Sequence, residues 1–389
     1  MINPSFLKLK KTTCLVFSLL VVFVGSAVSQ NKTELVTAEQ FTLQSKALNE
    51  ERVISVFLPN DYTTSSNQYP VLYLLDGPTH FEHAIAATNY LSLRSMIPNL
   101  VIVSIHNIDR SRDFSPVYSE RIPTSGGAAK FLDFLSDELV VYMKKNYRIA
   151  DFSLLLGHSF GGTFIAYSLV EKPELFDGYI SVSPYMQYAD NYMVKQAKEK
   201  MNLKSTGKKY FYMTVGDEPN YFEPLKEFSE FMKLQSIDDV QFKYIKMEGE
   251  NHATTPYLTL YNGLRFIFSD WNVPRDLIEK DLTVIDEHFN KLSKKYGVEV
   301  STPENIINAL GYRELQGGDL DAAIHIFKEN VKRYPKSANV YDSLGEAYEN
   351  NKQIDLARKS YEKACKLGAA TVNPNLVVYL KNLERVKGM

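Results

Sequence analysis

A mostly parallel α/β sheet followed by a small all-α helical-repeat domain is the fold class this sequence predicts. Three observations carry that reading. Short apolar runs alternate with helical patterns between residues 40 and 271, strand patterns cease after Trp271, and the stretch from Ile306 to Leu367 repeats itself with a period of 34 residues. At 389 residues the chain exceeds a usual single-domain length, so two domains are expected. Its 44% hydrophobic and 23% charged residues are ordinary for a globular chain. A net charge of −2, with Lys and Arg scattered, gives no electrostatic case for nucleic acid. The 25 tyrosines and 22 phenylalanines suit an aromatic-lined pocket, but core packing is their first explanation.

Residues 1–29 read as an export signal. Lys8, Lys10 and Lys11 precede the apolar run "CLVFSLLVVFV" (Cys14 to Val24), and Ala27 and Ser29 suit cleavage before Gln30. The run is shorter than the ~20 residues that span a bilayer, so no stable membrane span is expected after cleavage. The expected destination is the periplasm or the exterior. Removing the signal leaves one thiol, Cys365, and therefore no intramolecular disulfide.

Residues 30–271 form the expected α/β domain. "RVISVFLP" (Arg52 to Pro59) alternates with period two, whereas "PVLYLLDG" (Pro70 to Gly77) and "LVIVSIHN" (Leu100 to Asn107) are almost continuously apolar. Continuous runs mark strands covered on both faces, as in parallel sheets. Ala128 to Tyr147 carries apolar residues at helical spacing, with Lys144 and Lys145 at its C-terminal end. Strand patterns return at Phe152 to Gly157, Gly178 to Pro184, Lys209 to Asp217 and Val240 to Gly249. Helical stretches around Gly161 to Glu171 and Phe222 to Leu234 separate them.

Residues 272–389 form the expected helical domain. Leu310-Gly311 returns as Leu344-Gly345, Ala323 as Ala357 and Phe327 as Tyr361, each 34 residues on. Small residues let paired helices approach while large ones fill the seam, and the stretch of about 305–370 resembles two tetratricopeptide repeats. Two repeats are fewer than stand alone, so Asp276 to Gly297 and Asn373 to Val386 are expected to cap the pair and dock it on the first domain.

The chemistry concentrates at "LLLGHSFGGTF" (Leu154 to Phe164). A serine needs glycines two residues away on either side only where the backbone turns too tightly for side chains. Strand, Gly-x-Ser-x-Gly and helix in succession match a nucleophile elbow, with Ser159 lifted clear of the sheet. A hydroxyl is a weak nucleophile at neutral pH and needs a base. Among the seven histidines, His252 stands in a polar loop after the last strand pattern, on the edge where the elbow opens. His158 is expected to pack under the elbow and to contribute to substrate binding, and His288 and His325 to lie on C-terminal helices. The carboxylate that orients the base is expected between serine and histidine in chain order. Asp217 and Glu218 leave a strand together there, and because adjacent residues point opposite ways, one of them should reach His252. Glu218 is preferred. The amide of Phe160 is the expected first oxyanion donor. The second comes from the loop after "VLYLLDG", and since Pro78 has no N–H, it is Gly77 or Thr79, with Gly77's permissive backbone making it the preferred one. In "HFEH", His80 and His83 have a metal-like spacing but no third ligand. No metal and no cofactor are expected.

Residues 40 to 271 resemble the esterase family of α/β-hydrolases that includes enterobactin- and salmochelin-type siderophore esterases, feruloyl esterases and related carbohydrate esterases. The matching pieces, in family order, are "YLLDG", "NIDRSRDFSP", "GHSFGG", "LFDGYISVSP" and "GENHAT". The resemblance implies an α/β-hydrolase fold, Ser159 as nucleophile, His252 as base and a small-molecule or glycan ester as substrate. It also implies that Arg110 to Pro116 lines the substrate side, so Arg112 is expected to bind an acidic or catecholate group; an ion pair with Asp113 or Glu120 is its other reading. The alternative function is an interaction protein, in which the helical repeats bind a protein partner and the hydrolase part is an inactive or accessory scaffold.

Overall fold

The computed structural model describes residues 37–63, 65–201, 207–234, 240–371 and 373–388. The expected export signal lies outside these residues. Eight strands form one sheet: β1 (Thr37–Ser45), β2 (Glu50–Leu58), β3 (Tyr69–Leu74), β4 (Val101–Ile105), β5 (Ile149–His158), β6 (Gly178–Val182), β7 (Lys209–Val215) and β8 (Val240–Lys246). Their spatial order is β1-β2-β4-β3-β5-β6-β7-β8. β1 and β2 run antiparallel to their neighbours, and every pairing from β4 to β8 is parallel. The fold is that of an α/β-hydrolase, as the sequence predicts.

The continuous apolar runs are explained by burial on both sides. Val71 and Tyr73 of β3 join one core with the helix Phe160–Glu171, while Leu72 and Leu74 join a second with the helices Gly77–Leu93 and Thr255–Ile267. Successive strand residues point to opposite faces, so a strand covered twice has no polar positions to alternate with. The edge strand β1, which sequence periodicity left unread, pairs with β2 through register Thr37 to Leu58 down to Ser45 with Glu50. The helices Gly77–Leu93 and Tyr188–Lys200 also went unread, the first because its hydrophobic stripe is weak. It buries Ala84, Ala87 and Leu91, and small residues carry little periodic signal.

The region after 271 is all helix. Gly311 faces the Phe327 ring, and a β-carbon at Gly311 would stand 2.5 Å from it. Gly345 faces the Tyr361 ring at 2.7 Å in the same sense. The 34-residue repeat is thus a repeated close approach of two helices with a ring in the seam. Leu282–Tyr296 docks these helices on the sheet: Ile285, Phe289, Leu292 and Tyr296 share a core with Leu154 and Ile180. Tyr296 meets Phe152 edge to face at 4.8 Å, and Arg333 grips Asp286 with two bonds of 2.6 and 2.8 Å. The last helix, Leu376–Lys387, packs Leu383 and Val386 beside Tyr361. It caps the second helix pair, and the docking is carried by Leu282–Tyr296. Among the described residues, no helix is long and apolar enough to cross a membrane.

Candidate active site

Ser159 ends the strand-to-helix turn between β5 and Phe160–Glu171 with φ +60° and ψ −116°. A side-chain-bearing residue adopts such a conformation only when its surroundings impose it. Here the Ser159 N–H donates to the Val182 carbonyl at 2.9 Å, and the Ser159 carbonyl accepts from Tyr185 at 3.2 Å. A β-carbon on Gly157 would lie 2.5 Å from the Gly161 backbone, which is why position 157 must be bare. The first helical bond runs from the Thr163 N–H to the Ser159 carbonyl. The Phe160 N–H therefore has no acceptor within its own helix, like every N–H of a first turn.

β6 ends beside this turn, and β7 and then β8 follow across the sheet. Glu218, just after β7, accepts at Oε1 from the Ser183 hydroxyl at 2.7 Å and from the Gly216 amide at 3.0 Å. Its Oε2 lies 2.5 Å from Nδ1 of His252 in the loop after β8. The carboxylate is buried, whereas the His252 side chain is 38% exposed. Asp217 points the other way, accepting from the Gly249 amide at 2.9 Å and pairing with Lys246 at 3.3 Å. Of the two neighbouring carboxylates, Glu218 is the one that meets the imidazole.

Three further histidines extend from His252. His158 lies against its ring with centroids 4.4 Å apart, His80 follows at 6.0 Å and His83 at 5.1 Å. Burial, reinforced by the neighbouring imidazoles, holds His158 and His80 to about 4. Both are neutral at physiological pH. Among the described residues, no group of three or more His, Cys, Asp or Glu is arranged to hold a metal ion.

A family model described as "Putative esterase" matches residues 45–253, more than half of the chain. The protein belongs to this esterase family. It is 25% identical over 248 residues to the ferri-bacillibactin esterase BesA of Bacillus subtilis, covering 56% of this chain and 86% of BesA. Its fold is similar to that of an IroE-like serine hydrolase from Shewanella oneidensis (TM-score 0.65, 23% identity, 77% of this chain and 99% of that one). A protein from Capnocytophaga ochracea matches with TM-score 0.63 at 19% identity, over 91% of this chain and 100% of its own. That span takes in the helical region as well as the sheet.

In this esterase-family chain, Arg112 does not reach out as a free cation. Its guanidinium donates to Asp113 at 2.8 Å and to both Glu50 oxygens at 3.0 and 2.6 Å. Three of its donors are engaged by a carboxylate cage that also holds buried Arg52. The ion-pair reading fits, with Glu50 in place of Glu120. Arg110, which sequence reading passed over, is the arginine that meets the elbow, donating to the His158 carbonyl at 2.8 Å. Residues 110 and 112 share the short helix Arg110–Phe114, where side chains two apart face different ways. Gly77 opens the helix Gly77–Leu93, flush against β4, where its missing β-carbon would stand 2.7 Å from the Ile105 nitrogen.

Sequence reasoning also missed an aromatic wall. Phe160 meets Tyr185 at 5.1 Å and Tyr188 at 5.2 Å, Tyr185 meets Tyr221 at 5.9 Å, and Tyr221 meets His252 at 5.4 Å. Burial raises the Tyr221 phenol, the Glu218 charge adds to this, and the neighbouring Ser159 hydroxyl opposes it. Tyr221 is three residues beyond Glu218, on the turn Pro219–Tyr221. The only signal in the sequence was the tyrosine-rich composition, which cannot say which rings converge.

Proposed function

We propose that this protein is an exported serine esterase that cleaves carboxylic esters through an acyl-enzyme, with siderophore-esterase-like or carbohydrate-esterase-like substrates. The observation that carries the reading is the His252–Glu218 contact at the sheet edge where Ser159 is held at positive φ. The imidazole Nδ1–H donates to Glu218, which leaves Nε2 to accept the Ser159 proton. The Ser159 oxygen then attacks the ester carbonyl, and the amides of Phe160 and Gly77 receive the resulting oxyanion. Collapse expels the alcohol, which takes its proton from His252. Water, deprotonated by the same imidazole, releases the acid and restores the hydroxyl.

The aromatic wall beside Ser159 favours esters with a flat or aryl group. BesA, named for a ferri-bacillibactin substrate, supports the siderophore branch of the reading. In this reading residues 30–271 form the esterase domain, and 272–389 a helical domain with two tetratricopeptide-like repeats. The test is a hydrolysis panel of trilactone siderophores, feruloyl and acetyl sugars and short p-nitrophenyl esters. Wild type is expected to turn over at least one class and Ser159→Ala none. Turnover by neither, with a protein partner captured through residues 303–389, favours the accessory-scaffold alternative.

A further inference from the structure

Asp76 is the residue before Gly77, and its geometry is unusual for a helix start. It occupies the N-cap of Gly77–Leu93 with φ +52°, yet its carboxylate makes no cap bond. An aspartate at this position ordinarily accepts from the second or third helical N–H. Here Oδ1 instead accepts from Asn107 at 2.5 Å and from Nε of Arg110 at 2.6 Å, and Oδ2 accepts from Nη2 of Arg110 at 3.1 Å. The same Nη2 donates to the His158 carbonyl at 2.8 Å. On the far side of the nucleophile, a β-carbon on Gly161 would stand 3.3 Å from Asp76 Oδ2.

One ion pair thus touches the elbow just before Ser159 and abuts it just after. It also carries the loop that bears Gly77. A surface ion pair contributes little, but the Asp76 side chain is only 9% exposed, and two-pronged Arg–carboxylate pairs fix geometry as well as energy. The Arg110 guanidinium also lies 6.0 Å from the ring of Phe160, the residue after the nucleophile.

We infer that Arg110 and Asp76 are positioning residues that fix the separation of the Gly77 and Phe160 amides, and so set the oxyanion hole. This rests on the esterase reading above. Such a hole acts on the charge of the tetrahedral intermediate more than on the bound ester, so disturbing it lowers kcat while leaving KM.

The experiment compares wild type, Ser159→Ala, Arg110→Ala and Arg110→Lys on p-nitrophenyl acetate. Arg110→Ala is expected to lose tenfold or more in kcat with KM within about twofold. Phenylboronic acid, which forms a tetrahedral anion on the serine, should weaken in parallel. Millimolar guanidinium should restore part of the Arg110→Ala turnover, and urea should not. Arg110→Lys keeps the charge but cannot grip Asp76 and the 158 carbonyl together, and it is expected to fold and still lose kcat if the alanine variant does not fold. Active wild type with a dead Ser159→Ala and unimpaired arginine variants overturns this inference alone. A loss shared with KM, or without guanidinium rescue, also overturns it. Inactive wild type overturns the esterase reading, and this inference with it.

Discussion

Glu218 Oε2 stands 2.5 Å from His252 Nδ1 while Oε1 is held by the Ser183 hydroxyl and the Gly216 amide. Ser183 is itself within 3.2 Å of the Thr255 hydroxyl. A carboxylate gripped on one oxygen offers the other at a fixed angle, so the imidazole it meets is held in one tautomer. Glu218→Gln is expected to lower kcat for a p-nitrophenyl ester by about a thousandfold, because an amide at this place favours the wrong tautomer. Asp217→Asn, whose partners are Lys246 and Gly249, should stay within about twofold of wild type. Steady-state kinetics of the two variants decide which carboxylate acts.

Arg112 belongs to a cage of two arginines and two carboxylates in which Asp113 and Arg52 are wholly buried. Arg112→Ala removes one partner and leaves Glu50 and Asp113 less compensated, and losses of this kind are expressed in stability. Its thermal midpoint is expected to fall by several degrees with KM for an aryl ester unchanged. A raised KM at unchanged stability would return Arg112 to the substrate site.

The neutral imidazoles under the elbow give stability a pH dependence whose sign follows from their burial. His80 and His158 titrate at about 4 in the folded chain and near 6.5 when unfolded. Between these values the unfolded chain binds protons that the folded chain refuses. The contribution is therefore complete above about 6.5 and is lost as pH falls through about 4. Buried Asp113 and Asp177, raised by desolvation, act with the opposite sign lower in the range. The test is a comparison: urea midpoints of wild type should fall between pH 7 and 5, and those of a His80→Asn, His158→Asn double variant should fall less. Equal slopes would show that these rings do not carry the effect. Some slope remains in either case, because burial also lowers His83, His106 and His288.

Much of this arrangement is legible without coordinates. The turn at Ser159 is written as glycines at 157 and 161 between an apolar run and a helix, and the structure shows a β-carbon at 157 striking the backbone of Gly161. The helix pairs announce themselves because Gly311 with Phe327 and Gly345 with Tyr361 recur at equal spacing. Edge strand β1 and the helix Gly77–Leu93 stayed silent, since an edge strand is half solvated and small buried residues make a faint stripe.

Local pattern determined seven of the eight strands, where the tight turn falls and that the C-terminal helices pair. The first two depend on neighbours a few residues apart, whose geometry the chain itself fixes, and the third on a spacing that recurs. Only the tertiary structure chose Glu218 over its neighbour and gave Arg110, not Arg112, to the elbow. Those choices rest on which side of a short turn meets groups from other strands, such as the ring of His252 and the carboxylates of Asp76 and Glu50. The meeting is set by sheet order and twist, and no spacing along the chain encodes it.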